Sequence, residues 1–320
     1  MEQFEWLNNQ KESLSVGWIG CGVMGLPMCC NLIRYGGHKV FVTSRTASKC
    51  ERAIALGATF CDTPADLIQQ NVHVIISIVG FPHETKDIVY GKNGILQGLD
   101  INTSVQQKRT PIFIDMSTGD PTLAKEIHTT FEKLGSYSFD APVSGGDVGA
   151  ENRALAVFVG GNNATVFQKL EPLIFQPITD VTKGGRIQYI GKSGEGHQAK
   201  IVNQIFIANT MIGMCEGIFY ARKVGLPLPQ TLNAIEKGAA GSWSLSNLAP
   251  RLLDNNYSPG FYVEHFVKDL SIALQDATRL NLHLPGLTLA HALYTELLQK
   301  GYGKLGTQAL LKRYEFTHKE

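Results

Sequence analysis

A lysine, an asparagine and a glutamine stand at Lys200, Asn203 and Gln204 within the segment GHQAKIVNQIF, residues 196–206. On a helix, spacings of three and four residues put the three side chains on one face. The stretch that opens here stays largely apolar as far as Tyr220, so the lysine must lose its charge, find a partner or do a job. A desolvated ammonium can give a proton to a developing alkoxide, and the amine can take one back from an alcohol. The plain alternative is a lysine whose stem lies on the apolar surface while its charge reaches water at a helix end.

A second constellation is Gly20-Cys21-Gly22-Val23-Met24-Gly25, a G-x-G-x-x-G that follows the strand-like VGWI and opens a helical stretch. Its glycines permit a tight turn, let the backbone approach a pyrophosphate and let the helix pack on a sheet, with the phosphate at the helix N-terminus. The strand that follows ends Thr43-Ser44-Arg45-Thr46, with Lys49 one helical turn on. An acid there would accept both ribose hydroxyls of NAD. A serine, a guanidinium fork and a threonine suit a 2′-phosphate instead, so the expected cofactor is NADP in preference to NAD. A solvated loop arginine is the plain alternative.

Composition narrows the rest. The chain has 320 residues, 43% hydrophobic and 18% charged, which is enough for about two globular domains. A net charge of +1 gives no basic footprint for nucleic acid or an anionic membrane. Polar interruptions at Asn203, Gln204, Asn209, Thr210 and Glu216 argue against a membrane span over 201–220. The start, MEQFEWLNNQKESLS, lacks the pattern of a targeting peptide. Six cysteines without CxxC spacing suit free thiols in a reducing, cytoplasmic setting. Nine histidines are scattered singly, so no metal is expected.

Strand-like runs at 16–19, 39–43, 72–79, 111–116, 136–141, 154–161 and 186–191 alternate with helical ones such as 24–35, 47–56, 65–70 and 121–134. That alternation predicts an α/β fold with a doubly wound parallel sheet. Beyond Gly194 helical patterns dominate, at 196–222, 229–237, 263–280, 285–300 and 305–314. The expected organisation is an N-terminal extension over 1–14, a Rossmann domain over 15–192 and an all-helical domain over 193–320. The polar stretch 99–111 reads as a long exposed loop.

Four blocks in order resemble the β-hydroxyacid dehydrogenase family, which includes 3-hydroxyisobutyrate dehydrogenase, tartronate semialdehyde reductase and glyoxylate/succinic semialdehyde reductase. They are GWIGCGVMGLPMCCNLI, DAPVSGGDVGA, GEGHQAKIVNQ and FVKDL, and the resemblance runs from Val16 to Tyr314. It implies Lys200 as catalytic lysine, Ser144-Gly145-Gly146 as substrate-binding turn, and a substrate-orienting role for Asn203 or Gln204. It also implies cofactor contacts from Val79, Thr118 and Lys268, a small semialdehyde or hydroxyacid as substrate, a long helix joining the domains, and a homodimer or homotetramer built by the helical domain. Ser144 and the adjacent N–H groups could hold a carboxylate without obstruction, since two glycines follow. The chain departs from the pattern at Gln204, where the family often has asparagine, and at Arg153, where it usually has glycine. A non-catalytic NADP-binding scaffold and an imine reductase of similar fold are the competing classes; the presence of Lys200 argues against both.

Overall fold

The computed structural model describes residues 2–8, 13–102 and 110–316. It divides into two compact units, Met1–Lys200 and Ile201–Glu320. In the first, a nine-stranded sheet is built from β1 (Ser15–Ile19), β2 (Lys39–Thr43), β3 (Thr59–Phe60), β4 (Val74–Ser77), β5 (Ile112–Asp115), β6 (Ser138–Asp140), β7 (Val143–Ser144), β8 (Ala156–Gly160) and β9 (Arg186–Gly191). Their order is β3-β2-β1-β4-β5-β6-β8-β7, with β9 also paired to β8. The six strands from β3 to β6 are parallel, and strand order reverses between β1 and β4. In such sheets ligands bind outside the carboxyl ends of the strands at that reversal.

Beyond β6 the parallel expectation gives way. Strand β8 runs antiparallel to β6 and β7, then parallel to β9. The reason is local: β7 is only two residues long, and the helix Gly146–Asn152 turns the chain straight back along it.

Alternation within the parallel strands feeds two cores. Val16, Trp18, Val74, Ile76, Ile112 and Ile114 pack on one face of the sheet. Ile19, Ile75 and Phe113 pack on the other, as a period of two requires when both faces are covered. Trp6 and Leu7, from the short 3₁₀ helix Glu2–Asn8, join the first of these cores. The crossing helices start and stop where their caps dictate. Thr63 and Asp66 form a reciprocal capping box at Pro64–Gln69, Asp120 caps Pro121–Lys133, and left-handed Gly37 ends Gly25–Gly36. Residues 99–102 belong to the helix Ile95–Asn102, against the loop expected there, and 103–109 lie outside the described residues.

The helix Glu195–Val224 gives its first turn and a half to the first unit and the remainder to the second. The second unit adds Leu228–Ile235, Trp243–Leu253, Val263–Arg279, Pro285–Gln299 and Leu310–Phe316. Its core gathers Met211, Cys215, Phe266, Tyr294 and Leu297. Phe266 and Tyr294 meet edge-on with centroids 4.8 Å apart, and the Tyr294 hydroxyl donates to the Thr307 carbonyl at 2.9 Å.

Candidate active site

The glycine loop sits at the strand reversal. Gly20 leaves β1 with φ 102°, and its N–H donates to the Thr43 carbonyl at 3.0 Å. A Cβ on Gly20 would strike the Ile78 carbonyl oxygen, and one on Gly25 would strike the Gly20 carbonyl oxygen. Both positions are therefore closed to any side chain. Gly22 is different, because a Cβ there would meet nothing within 4 Å. The loop is tight where it turns and open where a diphosphate would approach, which is the division of labour a dinucleotide requires. Cys21 is buried, with its thiol held well up by desolvation, while Val23 is exposed. Met24 precedes the helix Gly25–Gly36, whose first turn carries neither an acid nor a side-chain cap. The residues fit a pyrophosphate.

Around this loop, the ends of β2, β4 and β5 are tied together. Ser44, Arg45 and Thr46 follow β2, and Lys49 lies in the 3₁₀ turn Ala47–Cys50. Arg45 Nη1 lies 2.6 Å from Glu84 Oε1. Val79 donates its N–H to Ser117 Oγ at 2.9 Å, next to Thr118. Asp115, buried at the end of β5, accepts from Ser77 Oγ at 2.9 Å, Thr85 Oγ1 at 3.2 Å and the Ser117 N–H at 3.1 Å. Neither Asp115 nor Ser117 stands out in the sequence; their role emerges only from strand order.

Ser144 ends β7, and Gly145 and Gly146 enter the helix Gly146–Asn152. The turn is thus a strand end running into a helix. Gly145 has φ 138°, and a Cβ on it would lie 3.0 Å from Leu155 Cδ2, so glycine is required there on both counts. The helix stops at Arg153, which holds φ 60° at the place where the family pattern has glycine. Its guanidinium repays the strained backbone: Nε donates to the Pro177 carbonyl at 3.0 Å, Nη2 to that of Gln176 at 2.7 Å, and the group stacks on Tyr35 with 3.8 Å to the centroid.

The start of the helix bearing Lys200 is locked to the sheet. Asp140, at the end of β6, accepts the Gly194 N–H on Oδ1 at 2.8 Å and the His197 N–H on Oδ2 at 2.9 Å. A Cβ on Gly196 would collide with the carbonyls of Asp140 and Phe158, so backbone lies directly on backbone. Burial pushes the Asp140 carboxyl up, against the opposing pull of His197 and the N–H donors. A cavity is lined there by Asp115, Asp120, Asp140 and His197. Lys200 comes one turn after His197 and is only 6% exposed, so its charge does not escape to water.

In the second unit, a polar chain links three expected residues through one that sequence reasoning passed over. Asn203 Nδ2 donates to Gln204 Oε1 at 2.7 Å, and Gln204 Nε2 donates to Asp269 Oδ2 at 2.6 Å. Lys268 Nζ pairs with Asp269 Oδ1 at 2.7 Å. Gln204 and Asp269 are both buried. Position 204 therefore needs an amide that accepts from one neighbour and donates to another. Among the described residues no cluster of histidine, cysteine, aspartate or glutamate could hold a metal.

Comparison with known proteins covers most of the chain. The NAD binding domain of 6-phosphogluconate dehydrogenase matches residues 15–191, and the NAD-binding domain of NADP-dependent 3-hydroxyisobutyrate dehydrogenase matches 194–314. The chain is 44% identical to a probable 3-hydroxyisobutyrate dehydrogenase-like 1, mitochondrial, of Arabidopsis thaliana, over 94% of this chain and 85% of that one. It is 31% identical to 2-hydroxy-3-oxopropionate reductase of Escherichia coli, over 94% and 97%. A Mycobacterium tuberculosis 3-hydroxyisobutyrate dehydrogenase has the same fold, with a TM-score of 0.79 at 24% identity, covering 95% of this chain and 99% of that one. The protein belongs to the β-hydroxyacid dehydrogenase family. It is an NAD(P)-dependent oxidoreductase of the hydroxyacid and semialdehyde class.

Proposed function

We propose that the protein interconverts a small carboxylate-bearing semialdehyde and its hydroxyacid, prefers NADP, and uses Lys200 as general acid and base. The observation that carries this reading is the buried Lys200, one turn beyond a helix start that Asp140 fixes to the sheet. A lysine so placed has no solvation role, and its rigid mounting suits a group that must meet one atom of a substrate.

The nicotinamide cofactor supplies or takes the hydride. The protein's residues do the rest. Gly20, Gly22 and Gly25 shape the diphosphate cradle, while Ser44, Arg45 and Thr46 meet the adenosine 2′-phosphate. Val79 and Thr118 flank the cofactor, and Lys268 is a further cofactor contact that the family resemblance implies. Ser144 and the N–H groups of Gly145 and Gly146 hold the substrate carboxylate. In the reducing direction Lys200 delivers a proton to the carbonyl oxygen as it becomes an alkoxide; in the other it removes that proton from the alcohol. Asn203 and Gln204 hold substrate or lysine, with Gln204 itself held by Asp269.

The long helix also supports an oligomer. Val202, Phe206, Tyr220 and Val224 are exposed at near-helical spacing, with Phe206 72% exposed, and Gly213 and Gly217 leave open space between them. By length and composition this helix could cross a bilayer, with 44% of its most apolar window buried. A second copy of the chain covers the open stripe in our reading, so Phe206→Glu should reduce the mass measured by light scattering. A reducing, cytosolic setting fits the same account, because all six cysteines are free and buried.

The direct test is a panel of small semialdehydes and hydroxyacids assayed with NADPH and with NADH. Turnover should require the carboxylate and favour NADPH. Comparable turnover of neutral aldehydes would refute the substrate class.

A further inference from the structure

The ion pair between Arg45 and Glu84 enters none of the chemistry above, yet it occupies the group expected to read the 2′-phosphate. Its two members are held very differently. Glu84 is fixed: Oε2 accepts the N–H of Gly80 at 2.8 Å and of Phe81 at 3.0 Å, at the entrance to the helix Pro82–Tyr90. Its side chain is 11% exposed, against 87% for Arg45, which reaches over from the end of β2. The carboxylate is an anchored acceptor, and the guanidinium is the member free to move.

We propose that Glu84 is a positioning residue for cofactor choice: it competes with the 2′-phosphate for the Arg45 guanidinium and so moderates the preference for NADP. The inference rests on the reading that Arg45 meets that phosphate. A phosphomonoester brings about −1.5 to −2 charges at neutral pH. To be bound beside Glu84 it must draw the guanidinium off the carboxylate or share it with a group of its own sign. NADH has a hydroxyl in that place and leaves the pair intact. The pair therefore counts against NADPH alone, and NADH remains a usable partner.

The test is equilibrium binding of NADPH and NADH, followed by nucleotide fluorescence, for the unmodified protein, Glu84→Gln, Arg45→Ala and the double variant. Glutamine keeps an acceptor for the Gly80 and Phe81 N–H groups while losing the charge. Glu84→Gln should bind NADPH about two- to five-fold more tightly, the scale of an exposed ion pair, and leave NADH unchanged. In the Arg45→Ala background the same substitution should gain nothing. Glu84→Asp, a methylene shorter with the cap retained, should shift the ratio the same way and serves if glutamine does not fold. An unchanged ratio in a protein whose Arg45→Ala variant does lose NADPH affinity would overturn the role of Glu84 alone. Arg45→Ala with undiminished NADPH affinity would instead overturn the reading of Arg45. A gain that persists without Arg45 would mean that Glu84 acts on the nucleotide directly, which also defeats the proposal.

Discussion

Two helices in the first unit begin against the sheet after glycine-rich entrances, GCGVMG and GKSGEGH, and their N-termini are treated in opposite ways. At Gly25–Gly36 the entrance is left open: Gly22 faces space, and the first turn has no acid and no side-chain cap. At Glu195–Val224 it is filled from within, since Asp140 takes the N–H groups of Gly194 and His197 and Glu195 takes that of Lys192 at 2.9 Å. An open helix start can hold an anion that comes and goes. A start occupied by a buried carboxylate is a mounting, and the lysine one turn further on inherits its rigidity. Nothing in the two glycine patterns separates these outcomes. The difference lies in an acid more than fifty residues upstream.

The largest effect should come from emptying the filled start. Asp140→Ala leaves two buried N–H groups without an acceptor, and unfolding free energy in urea should fall by about 2–5 kcal/mol. A loss below about 1 kcal/mol would show that the carboxylate is not the mounting. The reverse change fills the open start. Gly22→Asp places a carboxylate where we propose the diphosphate binds, in space that accepts a side chain, so NADPH should bind at least about tenfold more weakly while the melting temperature barely moves. Unimpaired binding would mean that the cradle lies elsewhere.

Smaller effects sharpen the contrast. Asp140→Asn keeps one acceptor and should cost about 1 kcal/mol. It should also remove a pH dependence. The folded Asp140 carboxyl titrates above its ordinary value because burial opposes its charge. Between those two values the folded state holds more protons than the unfolded one, so this group's contribution to stability is full below the ordinary value and declines as pH rises through the raised one. Urea titrations across that window should show a flatter slope in Asp140→Asn, and an identical slope would contradict the assignment.

Much of the fold is legible in the sequence. The runs VGWI, KVFVT and PIFIDM read as strands because both of their faces are apolar, and GCGVMG read as a phosphate loop because strand and helix flank it. The antiparallel turn at β7 was not legible, since two residues leave no period to detect. Asp140, Asp115 and Asp269 were passed over because a buried carboxylate is recognised by the N–H groups it meets, and those arrive from distant segments. Glu84 could have been suspected: an acid two residues after Pro82 is the position from which a side chain reaches back to cap a helix. Arg153 could be seen as a departure, but its repayment through the carbonyls of Gln176 and Pro177 could not.

The central claim is that Lys200 moves the proton. Its most direct test measures kcat for semialdehyde reduction, alongside NADPH binding, in Lys200→Ala and Lys200→Arg. Removing a general acid typically costs about 10²–10⁴-fold in rate. Both variants should fall by that order, the arginine because a guanidinium does not release its proton near neutral pH, while NADPH still binds at the glycine loop. A Lys200→Ala variant that binds NADPH and turns over at a near-normal rate would contradict the account.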